Sequence, residues 1–220
     1  MAAPVPWQLR AARVVRPAAW IGGLIPLFLL LLAAFTGGLG ADPIKEVTHR
    51  TGWAALLMLM LTLAVTPVRT LVKWNWLAPS RRTLGLCAYL YAVLHFLTYL
   101  VDQGFSWGYI ADDIVEHPYV TVGFTALVIL TPLALTSTRA AIRRLGKRWQ
   151  KLHRLVYVAA GLGVLHFLWL VKKDLREPLI FAAVFTVLML FRVLPMGRGG
   201  KAKGGPPPRR RTVEPAPVQP

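Results

Sequence analysis

The sequence has little acid and almost no cysteine. Asp and Glu number 9 against 26 Lys and Arg, and charged residues make up only 16% of the 220 positions. That little charge, beside 55% hydrophobic residues, excludes an ordinary soluble domain. The single cysteine, Cys87, excludes a disulfide within the chain. It falls inside an apolar run and reads as a small packing residue. There is no CxxCH for covalent haem attachment and no cysteine set for an iron–sulfur cluster. No GxGxxG-type loop follows a strand, so nothing marks a nucleotide-binding domain.

What is present is a series of apolar runs close to the ~20 residues that cross a bilayer. They cover 20–35, 52–67, 83–101, 119–136, 153–171 and 178–194. The expected fold class is therefore an all-α integral membrane protein, a six-helix transmembrane bundle. Residues 1–17 are basic, with Arg10, Arg13 and Arg16 and no acid. The run after them leads into TGGLGADP, which is not a clear cleavage site, so it reads as a retained first helix. Pro118 suits the first turn of the fourth helix, and Pro132 is expected to bend it. The segment 102–117, with Phe105, Trp107 and Tyr109, suits an interface. The Gly-, Pro- and Arg-rich stretch 195–220 reads as a disordered basic tail. The domain division is thus a cytoplasmic N-terminal segment 1–17, a transmembrane domain 18–194 and a cytoplasmic tail 195–220.

The charges divide unevenly between alternate gaps, with 41–51 and 172–177 mixed in sign and 102–117 acidic. Of the 26 Lys and Arg, only Lys45, Arg50, Lys172, Lys173 and Arg176 lie in the gaps after the first, third and fifth runs; of the 9 acids, only Glu214 lies elsewhere. By the positive-inside rule both termini are cytoplasmic and those gaps face outward. The formal charge of +17 follows that division. It does not gather on one folded surface, which argues against nucleic acid and for a lipid bilayer.

Two of the five histidines lie deep in apolar runs, within the same tetrapeptide: LHFL at 94–97 and again at 165–168. Histidine is costly in hydrocarbon and there usually has a partner or a ligand. His95 lies about 12 residues into the third run and His166 about 13 into the fifth, so both stand about 18–20 Å from the cytoplasmic edge. Both runs enter from the same side. His95 and His166 are thus candidate axial ligands for one haem, with hydrogen-bonded histidines inside the bundle as the alternative. Ala88, Ala92, Ala159, Gly161 and Gly163 are small enough to leave room for a flat macrocycle.

His153 sits at the cytoplasmic end. The matching position on the third helix is Arg82, so these two helices do not supply a second pair of histidines. His153, with Arg81, Arg82 and Arg144, is a candidate contact for a second haem, a flavin phosphate or a quinone; an unliganded interfacial histidine is the alternative. His49 and His117 lie at the outer edge. RRTLGL at 81–86 and RRLG at 143–146 each precede an LHFL, which is either a structural repeat or a common basic stop pattern.

Four stretches carry a resemblance: DPIKEVTHRTGWAALLMLMLTLAVTPVR, RRTLGLCAYLYAVLHFLTYLVDQG, DDIVEHPYVTVGFTALVILTPLALTSTR and RRLGKRWQKLHRLVYVAAGLGVLHFLWLVKKD. Together they resemble the MsrQ/YedZ family, the haem-binding membrane subunits of the bacterial protein-methionine-sulfoxide reductase system. That family belongs to the ferric-reductase-like transmembrane group. The resemblance implies haem b on His95 and His166 and an FMN whose residues no motif identifies. It implies electrons drawn from the quinone pool or a cytoplasmic flavin reductase. They would go to a periplasmic molybdopterin-containing catalytic subunit that reduces methionine sulfoxide in proteins. The chain would then be an electron-transfer subunit in the bacterial inner membrane, with no catalysis of its own. Wider relatives carry two histidines on each of two helices, and Arg82 departs from that. The alternatives are a stand-alone ferric-reductase-like metalloreductase, which would need an outside electron donor, and a haem-free structural membrane protein.

Overall fold

The computed structural model describes residues 6–194; the tail 195–220 and the first five residues lie outside the described residues. The described chain is helical, with no strand. It runs α1 (Pro6–Phe35), α2 (Pro43–Val72), a 3-10 turn (Asn75–Leu77), α3 (Ser80–Asp102), α4 (Trp107–Glu116), α5 (Pro118–Leu135), α6 (Arg139–Leu145), α7 (Lys147–His153), α8 (Leu155–Leu170) and α9 (Arg176–Val193). Among the described residues, five stretches are long and apolar enough to cross a membrane: Arg13–Phe35, Pro43–Val72, Asn75–Asp102, Pro118–Leu135 and Lys147–Leu170. The expected sixth run is α9, 18 residues long, which carries Arg176, Glu177 and Arg192 at its ends and is not among those five. The chain is a multi-pass helical membrane protein.

Several boundaries differ from the sequence expectation. Residues 6–17 are part of α1, which continues through Pro17. The segment 102–117 folds in part as a helix, α4. Its Ile110 and Asp113 are buried, because both fall on the face turned toward the bundle. Asp113 accepts 2.6 Å from Tyr99 Oη on α3, and its other oxygen lies 2.9 Å from His117 Nδ1. A carboxylate that reads in sequence as one more outer-gap charge is therefore the pin that ties α4 to α3. The helix stops at His117, which is extended (φ −106°, ψ 101°) as a residue before proline prefers. The basic gap 137–152 folds into α6 and α7, broken at Gly146 with φ 51°.

α1 is joined to α3 by a polar insertion. Tyr91, 1% exposed, donates to Gly23 O (2.7 Å) and accepts from Leu27 N (3.0 Å). These are the carbonyl and amide that would otherwise bond each other one turn apart in α1. One turn before Tyr91, Cys87 Sγ lies 2.6 Å from where a Cβ on Gly23 would stand. The cysteine is a packing residue against a glycine. On α2, Pro67 has no N–H and leaves Leu63 O without its helical donor. Arg192 of α9 donates to that oxygen at 2.7 Å and to Leu188 O at 2.8 Å, and its guanidinium lies 4.9 Å from the centre of the Tyr157 ring. Hydrogen bonding across helices thus replaces what a proline removes.

The buried core runs through Leu56, Leu63, Tyr91, Ala159, Ala160 and Phe181 between α2, α3, α8 and α9. The most extensive packing is of α2 on α3 and of α5 on α8. These two hairpins position the histidines.

Candidate functional site

α3 carries His95 and α8 carries His166, and the fold brings the rings together. Their centres are 6.1 Å apart and their planes meet at 78°. Each imidazole is held from behind by the facing helix of its own hairpin. His95 Nδ1 lies 2.8 Å from Thr48 O on α2, and His166 Nδ1 lies 2.7 Å from Tyr119 O on α5. A carbonyl oxygen only accepts, so each Nδ1 carries the proton and each Nε2 keeps its lone pair. Neither Nε2 makes a hydrogen bond among the described residues.

A glycine stands one helical turn beyond each carbonyl. A methyl on Gly52 would lie 3.0 Å from both Cε1 and Nδ1 of His95, and one on Gly123 would lie 2.7 Å from His166 Nδ1. Neither glycine stood out in the sequence. The small residues that did are used elsewhere: Gly161 faces Phe185, Gly163 faces Leu56, and Ala88 and Ala159 are core. The signal for the two glycines lies in the register. Each histidine follows its carbonyl residue by 47 positions. The set Thr48, Gly52, His95 therefore maps onto Tyr119, Gly123, His166 by one constant shift. The LHFL echo belongs to that repeat, and Arg82 maps by the same shift onto His153. The RRLG at 143–146 lies out of this register.

The arrangement suits a metal bound by two imidazoles. Two such rings bonded through nitrogen at about 2.0–2.1 Å on opposite sides of one ion hold their centres roughly 6 Å apart. Neutral Nε2 donors oriented by Nδ1–H···O=C bonds are the usual form of ligating histidine. The two rings fit the axial positions of one haem iron on donor type, tautomer and separation.

His153 is placed differently. Its Nδ1 lies 3.2 Å from Trp149 O in its own helix, and the Trp149 ring stacks on it at 3.9 Å. Trp149 in turn donates from Nε1 to Thr136 O at 3.0 Å. His153 Nε2 is buried without a hydrogen-bond partner among the described residues. It lines a cavity of about 430 Å³ together with Arg81, Arg82, Arg154, Tyr89 and Tyr157. Arg144 is exposed on α6 and is not among the residues lining that cavity. His49 Nε2 stands 3.9 Å from Glu177, and His117 faces Asp113.

These features define a helical membrane protein with a paired-histidine centre between two hairpins. In agreement, residues 51–164 match the family described as ferric reductase like transmembrane component; the match contains His95 and His153 and ends two residues before His166. The protein-methionine-sulfoxide reductase heme-binding subunit MsrQ of Deinococcus radiodurans is 51% identical over 189 residues, which is 83% of this chain and 94% of that one. The subunit of the same name from Herminiimonas arsenicoxydans is 47% identical, covering 86% of this chain and 88% of that one. That from Azospira oryzae is 46% identical, covering 99% and 91%. The chain belongs to the ferric-reductase-like transmembrane family and, within it, to the MsrQ haem-binding subunits.

Proposed function

We propose that this chain is the haem-bearing membrane electron-transfer subunit of a protein-methionine-sulfoxide reductase system. The observation that carries the reading is the His95–His166 pair: two uncommitted Nε2 donors, 6.1 Å between ring centres, in a chain of this family. His95 and His166 are the axial ligands of haem b, and the carbonyls of Thr48 and Tyr119 fix their tautomer and aim. Haem iron with both axial positions filled supplies one-electron transfer, with no open site for substrate. The chain therefore does no substrate chemistry itself.

The topology we propose is six spans with α9 as the last, both termini cytoplasmic, in the bacterial inner membrane. The inner side holds 21 of the 26 Lys and Arg and one acid, and the outer side holds 5 Lys and Arg and 8 of the 9 acids, as the positive-inside rule expects. The transmembrane domain is 18–194, flanked by a cytoplasmic N-terminal segment and a basic cytoplasmic tail. Electrons enter from the quinone pool or a cytoplasmic flavin reductase and leave to a periplasmic molybdopterin-containing catalytic subunit. FMN is a further cofactor of the proposed system, with no residues assigned to it. At the inner end, His153 with Arg81 and Arg82 contacts a second haem, a flavin or a quinone. Arg81 and Arg82 on the cavity wall support an anionic group there, while the unpartnered Nε2 of His153, whose Nδ1 donates to Trp149 O, supports a metal or an O–H donor.

The test is the visible spectrum of the purified protein. A reducible bis-imidazole b-type spectrum is expected, lost in His95→Ala and in His166→Ala. Full retention in either variant overturns the ligand assignment. Reconstitution with the catalytic subunit and a chemical reductant should couple haem oxidation to methionine sulfoxide reduction; haem that stays reduced in that mixture sinks the partner assignment.

A further inference from the structure

Two histidines sharing a metal can each rotate about the metal–nitrogen bond, so the surroundings must decide the angle between their rings. Here that angle is 78°. A carbonyl and a glycine lie against each ring, and the Tyr119 ring lies 6.5 Å from that of His166. Each Nδ1 is fixed by one carbonyl, at 2.8 Å for His95 and 2.7 Å for His166. The same edge of each ring rests on a glycine four residues further along the helix that supplies the carbonyl. A methyl on Gly52 would meet His95 at Cε1 (3.0 Å), Nδ1 (3.0 Å) and Cγ (3.6 Å). A methyl on Gly123 would meet His166 at Nδ1 (2.7 Å), Cε1 (2.9 Å) and Cγ (3.1 Å). Both glycines are in helix interiors, where glycine costs about 1 kcal/mol relative to alanine. Neither has the positive φ that would call for it. The close approach of an imidazole is the physical reason left, and it occurs twice, in register.

We propose that Gly52 and Gly123 are positioning residues. With the carbonyls of Thr48 and Tyr119, they hold the His95 and His166 planes near perpendicular and so set the electronic state of the iron between them. The inference rests on the axial ligation proposed above. In a low-spin ferric centre, parallel imidazoles act on one of the two iron d orbitals that reach out of the haem plane and split them apart. Perpendicular imidazoles act on both and leave them nearly equal. The first case gives a rhombic electron paramagnetic resonance spectrum and the second a signal with a large highest g value. The Nδ1–H···O=C bond makes a ligand more basic, so weakening it raises the potential.

The experiment compares oxidised, haem-loaded parent, Gly52→Ala, Gly123→Ala and Gly85→Ala by paramagnetic resonance and potentiometric titration. Gly85 is the control, because its added methyl would lie 3.7 Å from Thr62, an ordinary contact. The parent is expected to show the large-g signal. Gly123→Ala should lower the highest g value and raise the midpoint potential. Gly52→Ala should move both the same way by less, because its methyl stands further from the ring. Gly85→Ala should overlay the parent. Unchanged spectra and potentials in both Gly52→Ala and Gly123→Ala overturn the proposal, as does an equal shift in Gly85→Ala. If Gly123→Ala is monodisperse but loses its haem, the angle is read from Gly52→Ala. If that variant aggregates, Gly52→Ala decides alone. Failure of the underlying ligation looks different: the parent then lacks a bis-imidazole signal, or keeps it in His95→Ala.

Discussion

His153 and His166 lie on one membrane-crossing stretch, Lys147–Leu170, yet the fold treats them in opposite ways. His166 is held by a carbonyl of another helix, α5, and stands 6.1 Å from a second imidazole. His153 is held by a carbonyl of its own helix, stacks on Trp149, leaves Nε2 buried without a hydrogen-bond partner among the described residues, and lines a cavity with arginines on its wall. Holding a ring from across a helix interface fixes both its depth and its azimuth, as a site for an ion between two rings requires. Holding it from its own preceding turn fixes only its rotamer, which is enough for a group that meets a larger ligand from one side. The repeat sharpens the contrast. At the level of His95 and His166 both hairpins supply histidine, carbonyl and glycine; at the level of His153 one supplies that histidine and the other Arg82.

The largest effect that tests this contrast is at the outer pair. His95→Ala or His166→Ala should remove the bis-imidazole spectrum entirely, whereas His153→Ala should leave it at full intensity; a spectrum lost only in the His153 variant would reverse the two roles. Next is Arg192→Met, which strips the donor from Leu63 O below Pro67. It should cost about 1–3 kcal/mol, read as lower thermal stability with the outer haem spectrum unchanged. A coupled loss of haem would mean that the inner latch also shapes the outer site. Trp149→Phe keeps the stack on His153 but removes the bond to Thr136 O. A loss of about 0.5–1.5 kcal/mol is expected, seen as faster amide exchange in α7 without change in α3. The smallest effect is that of Arg144→Gln. With Arg144 exposed on α6 and off the cavity wall, this change should leave both haem content and reduction rate within error of the parent; slowed reduction would bring Arg144 into the inner site.

The helical membrane class was legible from run length and the uneven division of Lys and Arg among the gaps, and the histidine pair from a repeated tetrapeptide. The boundaries were less so. α4 was hidden because its core face, Ile110 and Asp113, includes a carboxylate, and a buried acid looks like any loop acid until Tyr99 and His117 are seen beside it. Residues 6–17 looked like a separate basic segment, yet α1 runs through them. The glycines at the site were hidden because glycine is common in membrane helices, and those nearer the histidines in sequence drew attention first. Gly161 and Gly163 share a helix with His166 but serve its packing on Phe185 and Leu56.

By itself the sequence determined that this chain lives in a bilayer and that two imidazoles sit at one depth, because hydropathy and a 1.5 Å rise per residue need no partner helix to be read. Only the tertiary structure decided which carbonyls and which glycines meet those rings, and that Arg144 stands off the cavity that His153 and Arg82 line. Those are contacts between helices, and a helix's azimuth is set by what packs against it.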